Sequence, residues 1–430
     1  MTLRIHFHTD SATFAGCEQM LTVLLPAFSE SEGVEVSLSY RRSDAYEQGL
    51  TERIGEICTF YPVSLPEVAD LEARIRARLS GRAMKPIRGL VIGLMHILPI
   101  RQVFQLYDLA PLRKVFSRVQ PDIVHINNGG FPGAGSANAA ALASHLAGVR
   151  STVYVVNNIA YGHASPLRWA GFPIDRLVAR WTGRFVTGSG VAAERLCAVL
   201  RLKHSRVEVI PNAIAPREPD ESKGETRRRL GIGAEETLIA CVARLEKRKG
   251  HRVLVEAAAI ARPVRGANPV TILVEGDGPE RESIEAAIAR FRGEVTVRMI
   301  SPERNIWNLL QASDAIVLPS LDREDFPNVV LEAMSMSKAV IASRVGGVPE
   351  QVIDGTTGII VPPGNVLALA KAIEKLTSEK ALLRELGRNG RLHYERQFAP
   401  EAAIRRYMNL YRSLIAVSGE LAASSGFKES

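Results

Sequence analysis

Residues 315–342 read AIVLPSLDREDFPNVVLEAMSMSKAVIA, and this stretch decides the fold class. Ala315–Leu318 and residues 339–342 are short, wholly apolar runs, as expected of strands covered on both faces of a parallel sheet. Residues 328–336 between them are of helix length. Pro327 suits the first helical position, where a missing N–H leaves no bond unmade. The segment predicts one βαβ unit.

The alternation extends outward. Strands are expected at 238–242, 271–274 and 296–299, with helices at 252–261, 281–291 and 306–312. Residues 215–225, with Pro216, Pro219 and several acids, lose periodicity and read as a linker. Before it the pattern runs once already, with strands at 4–9, 35–40, 123–126, 152–156, 184–187 and 207–210 and helices at 17–28 and 191–200. Two such series predict an α/β chain of two Rossmann-like parallel domains facing each other across a cleft. The expected division is a first domain at 1–214, a linker and domain start at 215–232, and a second domain at 233–390. Helices at 391–417 would return to the first domain, and 418–430 would form a disordered tail. Ligands of such sheets gather at the carboxyl ends of strands, so the loops there should carry the chemistry.

Composition narrows the class. The 430 residues are 46% hydrophobic and 23% charged, a globular balance. The excess of 54 Lys and Arg over 46 Asp and Glu, +8, suits an anionic partner such as a nucleotide sugar or an acidic lipid surface. Dispersed arginines, with no RNP, zinc-finger or basic-zipper pattern, argue against nucleic acid. Cys17, Cys58, Cys197 and Cys241 lie far apart without a CxxC pair, as for buried thiols in a reducing compartment. The start Leu3-Arg4-Ile5-His6-Phe7-His8 alternates like a strand and not a signal peptide. The longest apolar run, 89–100, is shorter than the roughly 20 residues that span a bilayer. A cytoplasmic protein is expected, soluble or peripheral on the inner face of the membrane.

Three loops of the second half stand out. In residues 243–251, Arg244 offers a planar fork and Lys249 a mobile point charge, a pair able to meet a pyrophosphate; a solvated basic turn would read the same. Glu275-Gly276-Asp277-Gly278-Pro279 permits close backbone approach to a ligand, or is simply a tight turn, and lacks GxGxxG spacing. In residues 319–334, Glu324 precedes a helix and Glu332 lies within it among Val, Leu, Ala and Met. The amides of Asn328 and Val329 open that helix toward an anion. A carboxylate in apolar surroundings needs hydrogen-bond partners, which sugar or ribose hydroxyls supply. The helix dipole alone accounts for Glu324 and Asp325 but not for Glu332.

Glu324 and Glu332, with seven residues between them, resemble the signature of the family 4 retaining glycosyltransferases of the GT-B fold. Arg244…Lys249-Gly250, Gly276-Asp277-Gly278-Pro279, Asp314 before Val317-Leu318-Pro319-Ser320, and Gly346-Gly347-Val348-Pro349-Glu350 match in order. Asp354-Gly355-Thr356-Thr357-Gly358 and Val361-Pro362-Pro363-Gly364 complete a likeness over most of residues 236–365. The resemblance implies a nucleotide diphosphate sugar as donor, held by the second domain, with no cofactor and no metal. Arg244 and Lys249 would hold the diphosphate and Glu332 the ribose. Glu324 would touch the transferred sugar, with Phe326, Pro327, Asn328 and Val329 beside it and Gly276 and Gly278 nearby. Two departures are plain: Asp325 stands where the family more often has Gly, and Ile300-Ser301-Pro302 lacks a common glycine, leaving base recognition near Arg304 open.

The first half, expected to take the acceptor, matches less closely. Ala15-Gly16-Cys17-Glu18 resembles the family's glycine loop with one glycine in place of two. Gly16 would let backbone approach the phosphates, or merely start a helix. His125, Asn128 and Asn158, at predicted strand ends, are candidate acceptor contacts. Many family members place a histidine beside the transferred sugar; here Asn157 stands there and His163 follows. Asparagine can bond a hydroxyl but not take its proton. His163 could take it, or could be structural. Residues 74–101 combine Arg74, Arg76, Arg78, Arg82, Lys85, Arg88 and Arg101 with apolar Leu90-Val91-Ile92-Gly93-Leu94-Met95. One reading is a segment at an anionic membrane, which would present a lipid-linked saccharide acceptor. The other is a solvated basic face followed by a core helix.

The resemblance implies retaining transfer of a hexose-type sugar to a saccharide or lipid-linked saccharide, in cell-surface polysaccharide synthesis. Arg244, Lys249 and helix amides would supply the countercharge. A glycosidase wants its carboxylates about 5–9 Å apart across one bond, whereas mostly helical chain sets the backbones of Glu324 and Glu332 roughly 10 Å apart. The rivals are a nucleotide-sugar epimerase of the same fold, which releases nucleotide without acceptor, and a non-catalytic carbohydrate-binding protein, which needs neither Arg244 nor Lys249.

Overall fold

The computed structural model describes residues 2–11, 13–14, 16–81, 84–97, 100–163, 166–264, 268–291 and 293–425, excepting the side chains of 96, 97, 166, 167 and 417–425. Arg82, Ala15 and the last five residues lie outside this set. The chain forms two compact units, one of Met1–Ile210 with Ile404–Ser430 and one of Pro211–Ala403.

The first unit is built on seven strands: β1 (Leu3–Thr9), β2 (Val34–Arg41), β3 (Thr59–Val63), β4 (Ile123–Asn127), β5 (Ser151–Val156), β6 (Arg184–Thr187) and β7 (Val207–Val209). All pair in parallel, in the order β3-β2-β1-β4-β5-β6-β7. β4 and β5 are buried at every position because helices cover both faces. The second unit repeats the plan with β8 (Thr237–Val242), β9 (Val270–Glu275), β10 (Val295–Ile300), β11 (Ala315–Leu318), β12 (Ala339–Ser343) and β13 (Ile359–Val361). Their order is β10-β9-β8-β11-β12-β13, again all parallel. Each sheet therefore reverses its winding beside its first strand, at β1/β4 and β8/β11, the switch point where ligands of such sheets collect.

Several expectations need correction. β3 and β13 were not anticipated: Pro62 breaks the strand pattern of β3, tolerated because the strand is an edge, and β13 has only three residues. The first unit ends at Ile210 and not 214, and all of 215–232 belongs to the second unit. Within that supposed linker lies the helix Lys223–Arg229, opened by a capping box in which Glu225 Oε2 accepts from Ser222 N at 2.8 Å. The return to the first unit starts at Ile404 and not 391. Tyr394 and Phe398 instead pack into a second-unit cluster with Trp307 and Phe326. The tail expected from Ser418 continues the helix Pro400–Ser425.

Candidate functional site

In the second unit the loops after β8 and β11 meet at one carboxylate, that of Glu324, whose main chain is held by the loop after β12. The β8 loop passes through a short 3₁₀ turn, Lys247–Lys249, to Gly250, whose φ of 72° starts the helix His251–Ile260. A Cβ at Gly250 would stand 1.9 Å from the Pro319 carbonyl oxygen, so only glycine lets the β8 and β11 loops meet. Lys249 Nζ then reaches Glu324 Oε1 at 2.6 Å, and Ser320 Oγ donates to the same oxygen at 2.7 Å. Arg248 Nη1 lies 3.5 Å from it. Glu324 is buried. Its main chain is gripped as well: Gly347 N donates to Glu324 O at 3.1 Å, and a Cβ at Gly346 would fall 1.6 Å from that oxygen. Arg323, next to it, holds a left-handed φ of 57°, an uncommon conformation for a side-chain-bearing residue.

The other donor residues sit around this centre in different ways. Arg244 does not join Glu324; its guanidinium is 75% exposed and pairs with Glu246 at 3.2 Å. Pro327 is the N-cap and not the first helical residue; the helix Asn328–Ser335 begins after it. Phe326 is buried against Phe398, while Asn328, Val329 and Glu332 are half-buried. Asn212 Nδ2 donates to Phe326 O at 3.1 Å and Asn328 Oδ1 at 3.2 Å, and Gln351 Nε2 to Pro327 O at 3.2 Å. These bonds fix the loop that presents the first-turn amides. Gly276 and Gly278 have a packing reason: Cβ atoms there would lie 2.0 Å from Ala243 O and 2.6 Å from Leu245 O. They clamp the β9 loop to the β8 loop. Arg304 is exposed.

In the first unit, the ends of β4 and β5 and the Gly16–Glu18 turn are tied together. Asn157 Nδ2 donates to Asn127 Oδ1 at 3.3 Å, and Asn127 Nδ2 to Cys17 O at 2.9 Å. Glu18, buried at the start of the helix Gln19–Ser29, accepts from Ser11 Oγ at 2.5 Å and Thr9 Oγ1 at 3.2 Å. Burial, with Glu18 beside it, pushes the Cys17 thiol up to about 12. His163 Nε2 meets Asp175 Oδ2 at 2.9 Å, and Arg168 Nη2 meets the same oxygen at 2.8 Å. Asp175 in turn accepts from Asn138 Nδ2 at 3.3 Å, and Asn138 Oδ1 from Tyr154 Oη at 2.9 Å. A cavity of about 290 Å³ opens over this network, lined by Arg101, Gln105, Pro132, Asn138, Arg168 and Asp175 among others.

Two acceptor assignments fail. His125 is buried, its Nδ1 2.6 Å from Tyr411 Oη and its ring against Phe7, and burial drives its pKa down to about 3. It is a neutral core residue under the returning C-terminal helix. Asn128 is spent on its own loop: Oδ1 accepts from Ala134 N at 3.1 Å, while Nδ2 donates to Gly130 O and to Tyr154 Oη. Asn158 Oδ1 accepts from Ile159 N at 2.8 Å, a local turn. Sequence reasoning also missed Asp10 and Arg41, a buried pair 2.6 Å apart at the ends of β1 and β2.

Two parallel α/β units wound in the same order, the second with a basic loop and a buried glutamate at its switch point, define the GT-B class of sugar-transferring folds. Family models agree: Glycosyltransferase Family 4 matches residues 72–218, and Glycosyl transferases group 1 matches residues 222–393. The chain belongs to the family 4 glycosyltransferases of the GT-B fold. It is 28% identical to the 2-deoxystreptamine glucosyltransferase of Streptomyces kanamyceticus, over 75% of this chain and 84% of that protein. It is 29% identical to the alpha-D-kanosaminyltransferase of the same organism, over 45% of this chain but only 49% of the relative. Anabaena HepE in complex with UDP has the same fold, with a TM-score of 0.73 at 18% identity, covering 96% of this chain and all of that one.

Proposed function

We propose that the chain is a retaining, metal-independent glycosyltransferase that passes a hexose-type sugar from a nucleotide diphosphate sugar to a saccharide or lipid-linked saccharide, in cell-surface polysaccharide synthesis. The observation that carries the reading is the buried Glu324 carboxylate, bonded to Lys249 and Ser320 and held along its backbone by the β12 turn. Lys249 meets the diphosphate from this fixed position, and Arg244 folds onto it from solvent. The amides of Asn328 and Val329 add countercharge at the helix start. Because these groups are in place before the bond breaks, the departing diphosphate is stabilised with little reorganisation. Glu324 keeps lone pairs for a sugar hydroxyl, and Glu332 serves the ribose. UDP in the related fold of HepE supports a nucleotide donor.

The acceptor occupies the first-unit cavity, where buried Gln105, Asn138 and Asp175 suit a polyhydroxylated ring. His163 orients Asp175 and is not assigned a proton-transfer role. Presentation of the acceptor at the inner membrane face is supported by the helices Lys85–Ile97 and Ile100–Val119. They expose Ile87, Leu90, Leu94, Val103, Leu106 and Tyr107, and Lys85 and Arg88 provide cations. Among the described residues no single helix is long and apolar enough to cross a membrane. The test is nucleotide release from a panel of nucleotide sugars with and without saccharide acceptors. Release that requires acceptor supports transfer, and equal release without one favours the epimerase.

A further inference from the structure

A second cavity of the first unit lies at the opposite end of the sheet, where β6 and β7 begin. It measures about 650 Å³ and is lined by Arg176, Arg180, Arg201, Lys203 and Arg206, with Leu177 among them. Arg184, the first residue of β6, reaches its wall by donating to Ser205 O. Among the described residues none of these six cations forms an ion pair with a carboxylate.

Helix capping explains only part of this cluster. Arg176 Nη1 donates to Leu200 O at 2.6 Å, and Arg206 Nη2 to Ala179 O at 3.1 Å and to Thr182 O. These bonds complete carbonyls at the ends of the helices Pro166–Trp181 and Gly190–Leu200 and set where the guanidinium groups sit. A carbonyl carries no net charge, so the positive charges remain uncompensated. The Nε atoms of Arg184 and Arg206 are also buried without a hydrogen-bond partner among the described residues, so neither guanidinium is fully satisfied by the protein. Burial, and then Arg184, lowers the pKa of Arg206. The side chains of Arg180 and Lys203 have no described bond within the protein. Arg201 closes its helix in the left-handed conformation, φ 53°.

We infer that this cavity binds a phosphate-bearing anion, at a site separate from the candidate donor and acceptor positions. Guanidinium forks match phosphate oxygens in bidentate fashion, and several unpaired cations require a ligand of more than one negative charge or a charged surface. The ligand is either a free polyphosphate or the headgroups of an anionic bilayer; the cation chemistry is common to both.

The test uses the full chain and the variant R180Q/R201N/K203Q, which removes three charges and leaves the helix caps intact; asparagine tolerates the left-handed backbone at 201. Inorganic tripolyphosphate is titrated calorimetrically into wild type, this variant and R244A/K249A. Wild type should bind at two kinds of site. The triple variant should lose one, at least about tenfold in affinity, with nucleotide binding unchanged, and R244A/K249A should lose the other. R180K/K203R should retain wild-type binding, which a purely structural role for these side chains would not require. Sedimentation with phosphatidylglycerol-containing and pure phosphatidylcholine vesicles separates the sources. Loss of phosphatidylglycerol binding in the triple variant identifies headgroups, and loss of tripolyphosphate binding alone identifies a free anion. If the triple variant matches wild type with tripolyphosphate and with both vesicles, the site does not exist, whatever R244A/K249A does to the donor.

Discussion

Replacing Lys249 by methionine removes the ammonium from Glu324 while keeping the apolar stem. Side-chain exposure is 13% for Lys249 and 7% for Glu324, and the atoms are 2.6 Å apart, so this is a buried pair. Breaking such a pair from one side costs about 3–5 kcal/mol. Ser320 Oγ at 2.7 Å and Arg248 Nη1 at 3.5 Å stay with the carboxylate. They offset part of the loss, so Lys249→Met should cost about 2–3 kcal/mol of stability. Glu324→Gln alone leaves a less buried ammonium and should cost about 1–2 kcal/mol. The double variant buries no unpaired charge and should cost less than the sum, with a coupling of about 1.5–2.5 kcal/mol. Urea unfolding of the four proteins measures the stability cycle. Calorimetry with the nucleotide chosen by screening should find Lys249→Met weaker by about 1.5–3 kcal/mol, roughly 10- to 150-fold. Strict additivity in urea, together with wild-type nucleotide affinity for Lys249→Met, would refute the reasoning.

Glu332→Ala should weaken free nucleotide binding through lost ribose contacts, whereas Glu324→Ala should spare it within about tenfold and lose turnover; equal effects on calorimetric affinity would reverse the assignment. Gly346→Ala should destabilise the second unit by about 2 kcal/mol or more and abolish turnover, because its Cβ would collide with Glu324 O at a φ of 50°; a melting temperature equal to wild type would argue against the grip. Burial lowers His6, His8 and His125 from 6.5 to about 3, 4 and 3, so the unfolded chain takes up protons there before the folded one does. Their stabilising contribution is complete above pH ~6.5 and is lost as pH falls toward 3. His125→Asn should flatten that acid limb by up to about 1.4 kcal/mol per pH unit in urea titrations, and an unchanged slope would show His125 to be solvated.

The sheets were legible because their central strands are covered on both faces and so read as unbroken apolar runs. Lys249 and Glu324 were legible for a related reason: each follows such a strand, where chemistry gathers in parallel sheets. The partners that hold the Glu324–Asn328 loop were not, since Gly346 and the Asn212 side chain act on main-chain oxygens of residues distant in sequence, which carry no side-chain signal. His125 was misread because strand parity turns it away from the apolar side chains of Val124 and Ile126 toward Tyr411, 286 positions later. Asp10 and Arg41 each look like an ordinary end-of-strand polar residue until β1 and β2 pair. The linker at 215–225 hid a capping box, Ser222 to Glu225, whose signal is local and could have been found.

The central claim is tested most directly by incubating wild type, Lys249→Met and Glu324→Gln with the selected nucleotide sugar and acceptor in excess EDTA, and following product anomeric configuration and free nucleotide by NMR. Acceptor-dependent formation of a product with retained configuration in wild type, lost in both variants, is the predicted result. Transfer abolished by EDTA, an inverted product, or nucleotide release indifferent to acceptor and to both substitutions would contradict it.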